Sequence, residues 1–136
     1  MTSAAVELQK AVFATLGADM SLTAAMGGGR IHDHAPANVA FPHITFGRTS
    51  IYDWSTGTED GSEHIFTVHV WSKAKGKVET LGIMDAVKKI LDDAGLELAG
   101  HRLVNLRKEY EEARFDEDLS VYHGILRFRA VTEPTD

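Results

Sequence analysis

The sequence has no cysteine among its 136 residues. That excludes disulfides and thiolate metal sites, and it leaves the redox compartment open. No apolar run approaches the ~18 residues a membrane helix needs, so no membrane partner is expected. The opening MTSAAVELQK places no basic group ahead of an apolar stretch, so no secretory signal is read there. Basic residues are in deficit: the net charge is −6, which argues against a general nucleic-acid binder. No G-x-S-x-G occurs, so there is no nucleophile elbow. The glycine run Gly27–Gly29 lacks a following Gly-Lys-Ser/Thr and a preceding strand. It reads as a corner and not as a phosphate loop.

What remains is the composition of one globular domain spanning residues 1–136, with 43% hydrophobic and 25% charged residues. The chain is organised around Glu63–Gly95. EHIFTVHVWS alternates like a strand: Phe66, Val68 and Val70 point one way, Ile65, Thr67, His69 and Trp71 the other. Both faces are largely apolar or aromatic, which predicts a central strand covered on both sides. After the polar turn Lys73–Lys77, helical spacing places Leu81, Met84, Val87, Ile90, Leu91 and Ala94 on one stripe. Gly95 stands where a left-handed helix cap belongs.

Ahead of that unit, Ser3–Leu16 reads as a helix capped by Ser3, with Ala5, Leu8, Val12 and Leu16 inward. Leu22–Met26 forms a second short turn. Arg30–Phe41 is irregular, broken at Ala35-Pro36 and Phe41-Pro42. His43–Trp54 is a strand in which Gly47 marks a bulge or a close backbone approach. Ser55–Glu63 is too long for a tight turn and reads as a mobile, projecting loop. Behind the helix, a strand runs from His101 to about Glu111, with Val104, Leu106 and Tyr110 on one side and Arg107 and Glu109 on the other. The last strand is Val121–Thr132, and residues 133–136 read as a frayed tail. The prediction is an α+β fold: one mixed or antiparallel sheet of about four strands in two hairpins, with two main helices packed on it.

Half of the 20 acids sit in two segments, Asp53–Glu63 and Glu109–Asp118. Charge runs of this kind are most often solvated connections. If the helix returns along the sheet, the strands starting at Glu63 and His101 run parallel, and the acidic connections lie at opposite ends. Seven histidines raise a metal reading. His32 and His34 flank an acid in an extended piece, with His43 nearest, but zinc takes a third and fourth ligand that nothing here fixes. His64, His69, His101 and His123 are scattered over separate strands. Trp54 and Trp71 read as core or interface aromatics. No catalytic residue, cofactor or metal is expected, and a small histidine-based metal-binding enzyme is the weaker alternative.

RIHDHAP, FPHITFG, DW with its acidic glycine-rich loop, HIFTVHVWS, GHRLVNLR and HGILRFRAVTEP occur in one order along the chain. In that order they resemble a family of short phage and gene-transfer-agent proteins: the tail terminator, also called the tail completion or head–tail joining protein. The resemblance covers about Leu8–Pro134, and the gene-transfer-agent branch is the nearer, at VHVWS and LRFRAVTEP. His32 stands where the family often carries an aromatic. The resemblance implies a fold similar to the phage lambda tail terminator. It further implies a homo-oligomeric ring, a hexamer, that caps the tail tube and meets the head-side connector or stopper protein in the virion. A head-side adaptor or stopper of the same joint is the alternative position. DNA then passes the lumen without specific binding, because every Lys or Arg that neutralises a phosphate adds affinity. Asp53, Trp54, Glu59, Asp60, Glu63, Arg127 and Arg129 are the candidate interface or lumen residues.

Overall fold

Asp19 ends one helix and starts the next. The computed structural model, which describes residues 2–135, places helix α1 at Ala4–Ala18 and α2 at Met20–Met26. The Asp19 N–H donates to the Leu16 carbonyl, while its Oδ1 accepts from the Leu22 N–H at 2.8 Å. One short side chain thus satisfies groups that two helix ends leave open. Ser3 caps α1 by accepting from the Val6 N–H. Leu8, Val12 and Leu16 are buried at helical spacing, followed by Leu22 and Met26. Gly27, at φ 80°, closes α2 in the left-handed conformation, and the Gly28 N–H reaches back to the Thr23 carbonyl.

The strands are β1 (Ile31–His32), β2 (His43–Asp53), β3 (Ser62–Ser72), β4 (Glu97–Leu98), β5 (His101–Asp116) and β6 (Val121–Pro134). Helix α3 (Val78–Leu91) lies between β3 and β4. They form one sheet in the order β1-β2-β3-β6-β5-β4. Within this sheet the β1–β2 pair is parallel, and β2–β3, β3–β6, β6–β5 and β5–β4 are antiparallel. The four long strands are the two expected hairpins. The sheet is nevertheless six strands wide, because two-residue ladders carry too little periodicity to be read, and the short turn expected at Leu22–Met26 is the third helix, α2.

β3 is central, flanked by β2 and β6. Its His64, Phe66, Val68, Val70 and Ser72 are all buried, but the alternate residues are only half-buried. The expectation of two covered faces is therefore corrected. All three helices share one side: α3 packs on β3, β5 and β6, and α1 touches both other helices. The core lies between this layer and the sheet. Phe66 and Phe128 stack there with centroids 5.4 Å apart. Gly124 lets α3 sit down on β6, since a Cβ there would come within 2.5 Å of the Met84 sulfur.

Three further expectations shift. The buried stripe of α3 is Thr80, Ile83, Met84, Val87 and Leu91, and Leu81 is 49% exposed. The helix stops at Leu91, not at Gly95. Asp93 takes the positive φ and its N–H donates to the Leu106 carbonyl, so β5 captures the chain early. β5 itself runs on to Asp116 and is bulged twice, between Leu103 and Asn105 and between Lys108 and Tyr110. Each bulge resets the alternation. Leu106 is consequently buried, while Val104 and Tyr110 are exposed. β6 extends through Glu133 and Pro134, which the sequence reading placed in a frayed tail, and Asp136 lies outside the described residues.

Candidate assembly surface

The β2–β3 turn is built by short polar side chains. Its ladder continues past the strand ends, the Trp54 N–H donating to the Gly61 carbonyl at 2.9 Å. The Ser55 hydroxyl accepts from the Gly61 N–H. Thr56 Oγ1 accepts from the Glu59 N–H, and the Thr56 N–H donates to the Glu59 carbonyl at 2.7 Å. The connection is thus 54–61, shorter than expected, since Asp53, Ser62 and Glu63 are paired strand residues. The Ser55 hydroxyl and N–H hold the Asp53 carboxyl below the usual carboxylate range. Glu59 and Asp60 are exposed at the tip, and Trp54, half exposed, lies against Gly61.

The other candidates sit on the helix-free face. The register places Ile65 beside Arg129, and from the neighbouring position Glu63 accepts from the Arg129 guanidinium. Arg127 donates to Glu109 at 2.9 Å and lies over the Tyr110 ring. The structure therefore joins Glu63 to Arg129, gives Arg127 a different acid, and leaves Glu59 and Asp60 apart on the turn. β3 and β5 run in the same direction, so the acidic β2–β3 turn and the acidic β5–β6 turn occupy opposite ends of the sheet.

The same face holds a group that the sequence reading dispersed. Trp71 stacks on His123 at 3.8 Å between centroids, with His69 and His43 stacked on either side. His69 Nδ1 and His123 Nε2 are 2.7 Å apart, so one ring donates and the other accepts. The Trp71 indole N–H donates to Thr45 Oγ1. Burial, reinforced by His69 and Arg114, pushes His123 down to about 4. Burial also lowers His69, and it lowers His43 together with the neighbouring His32. These rings are neutral near pH 7 and act as flat packing groups. Gly47 makes room for them: a Cβ there would fall 2.1 Å from His69 Nε2. The residue sits in a β2 bulge, so both readings of this glycine hold.

Among the described residues, no group of three or more His, Asp or Glu side chains is placed to hold a metal ion. His34 is exposed, while His32 meets His43 edge to face. Among the described residues, no helix is long and apolar enough to cross a membrane.

The family model described as tail completion protein gp17 matches residues 10–133. The chain belongs to the tail completion protein gp17 family. Tail completion proteins are virion components, and the chain is one of them. Among solved structures it is similar to a chain from the virion of a native gene transfer agent (GTA) particle. The two share 31% identity at a TM-score of 0.89, over 98% of this chain and 99% of that one. No curated protein matches.

Proposed function

We propose that this tail completion protein is a non-enzymatic ring subunit, six to the ring, that terminates the tail tube and joins it to the head-side connector. The near full-length likeness to a chain of a native gene transfer agent virion carries this reading. A fold likeness to the phage lambda tail terminator belongs to it. So does a lumen through which DNA passes unbound. The open sheet face suits that passage, because Arg127 and Arg129 are already engaged by Glu109 and Glu63. A guanidinium held by a carboxylate offers little to a passing phosphate.

In this reading the β2–β3 turn, with Asp53, Trp54, Glu59 and Asp60, meets the tube or the lumen. It is mobile in the free chain and ordered against its partner, because it has few apolar groups to bury. Replacing Glu59 and Asp60 by Lys tests this without touching the Glu63–Arg129 pair. We expect few joined particles in electron micrographs, or joined particles that fail to deliver DNA. Amide exchange at Thr58 and Asp60 should be fast in the free chain and slow in particles. Normal joining, normal delivery and unchanged exchange would remove the turn from the interface.

A further inference from the structure

The sheet carries two unpaired backbone edges, one on each side. β1 covers β2 only at Ile44 and Thr45, so among the described residues no strand pairs with Gly47–Asp53 on the side away from β3. β4 covers β5 only at His101 and Arg102, and the end of α3 occupies the next stretch. There the Asp93 N–H takes the Leu106 carbonyl, and Asp92 Oδ1 takes the Lys108 N–H at 2.8 Å. β5 is therefore free from Glu109 to Asp116. The two open lengths are similar, seven and eight residues, and neither contains proline. An edge of this kind is a template for another strand unless something blunts it.

The hydrogen-bond phase identifies the groups that point outward. The Trp54–Gly61 bond sets β2, where the outward N–H groups are those of Thr49, Ile51 and Asp53. The Leu106–Asp93 bond and the second bulge set β5, where they are those of Glu111, Ala113 and Phe115.

We propose that the β2 edge of one copy pairs antiparallel with the β5 edge of the next, so that the ring is held by one continuous sheet. This rests on the ring reading given above. Two different edges of one chain make a heterologous contact, which closes when the rotation allows. The strand directions suit it. A rotation about an axis near the strands preserves direction, and β2 and β5 run oppositely within the sheet.

The geometry also supplies a closing angle. The free part of β2 centres level with Ile65 of β3, and the free part of β5 centres level with Val70. That is an offset of about five residues at ~3.3 Å each, over about four strand spacings of ~4.8 Å per copy. Closure then requires strands tilted by about 40° to the ring axis, inside the roughly 35–45° that closed barrels adopt. At this stagger the neighbour's β1 lies beyond the end of β5, and β4 lies beyond the neighbour's turn. The two short strands bound the joint and do not obstruct it.

The absence of cysteine makes the test clean. Ile51→Cys is combined with Glu111→Cys, Ala113→Cys or Phe115→Cys in assembled particles, which are then oxidised. One combination should give a ladder of covalent oligomers on a non-reducing gel, absent from every single variant. As a second arm, Ile51→Pro and Glu111→Pro each remove one outward N–H and no bond within the subunit. Each should abolish joined particles while the purified chain keeps its Tm. A closed ring in electron micrographs with no ladder from any pair, or normal joining by both proline variants, would overturn the edge pairing and leave the ring standing. Particles with no ring of this chain at the head–tail joint would remove both.

Discussion

The two faces of the sheet are made by the same strands and held by opposite chemistry. On the helix side, β3 and β6 contribute Phe66, Val68, Val70, Leu126 and Phe128, all buried in the core. One residue along, the same strands present Glu63, Thr67, Arg127 and Arg129 to a face with no helix on it. The first face is held by area removed from water, roughly 25 cal/mol per Å². The second consists of stacked imidazoles, His43 and His123 among them buried, and of ion pairs whose net contribution to folding is small where water reaches them. A period of two along a strand is enough to separate a face that stabilises the subunit from a face left for other work.

The largest test of that separation is Phe128→Ala. Phe128 is fully buried and stacked on Phe66. We expect a loss of about 3–5 kcal/mol, from lost transfer energy and the cavity left behind. Chemical denaturation of the purified chain measures it. A loss below about 1 kcal/mol would mean that the helix layer is not what holds the sheet.

Next in size is the histidine stack, where the two kinds of chemistry meet. Unfolded histidine takes up a proton as pH falls through about 6.5. Folded His123 refuses it until about 4. The unfolded state therefore binds more protons throughout that window, and stability falls as the pH is lowered through it. The slope is at most about 1.4 kcal/mol per pH unit for each such histidine. His69 and His43, lowered in the same direction, add to the loss. His123→Gln should flatten the stability profile between about pH 6.5 and 4. An unchanged profile would show that the stack opens without cost.

How much of this was legible in the sequence follows from the range of each signal. The four long strands and the helix after β3 announce themselves by period, and Ser3 announces the start of α1 as a capping residue. His69 and Trp71 share a face by alternation alone. What periodicity cannot supply is the register that brings His123 opposite Trp71, more than fifty positions later, so the stack stayed hidden. Gly47 was legible as an anomaly but its partner, His69, was not. The bulges of β5 were invisible because an inserted residue looks like any other until the partner strand is known. Among the candidate surface residues, the acidic turn was read directly from composition. The pairing of Arg129 with Glu63 and of Arg127 with Glu109 needed the β3–β6–β5 order.

The smallest expected effect is also the sharpest for the comparison. Glu63 and Arg129 meet diagonally across β3 and β6, each side chain still partly open to water. If the open face serves assembly and not folding, this pair should contribute little to stability despite its short contact. A double-mutant cycle with Glu63→Gln and Arg129→Met isolates the coupling, provided that neither single change makes a new contact. We expect a coupling of at most about 1 kcal/mol, because solvent screens the attraction and both side chains lose freedom in making it. The functional effect should not scale with that energy. If the open face lines the proposed lumen, Glu63→Gln leaves the Arg129 guanidinium free there to hold a phosphate. Each such contact gives binding a measurable salt dependence. DNA delivery by Glu63→Gln particles should then slow at low salt and recover as salt rises, while the Tm of the subunit moves little. A coupling above about 2 kcal/mol would place this pair with the covered face, and the division of labour between the two faces would not hold at its centre.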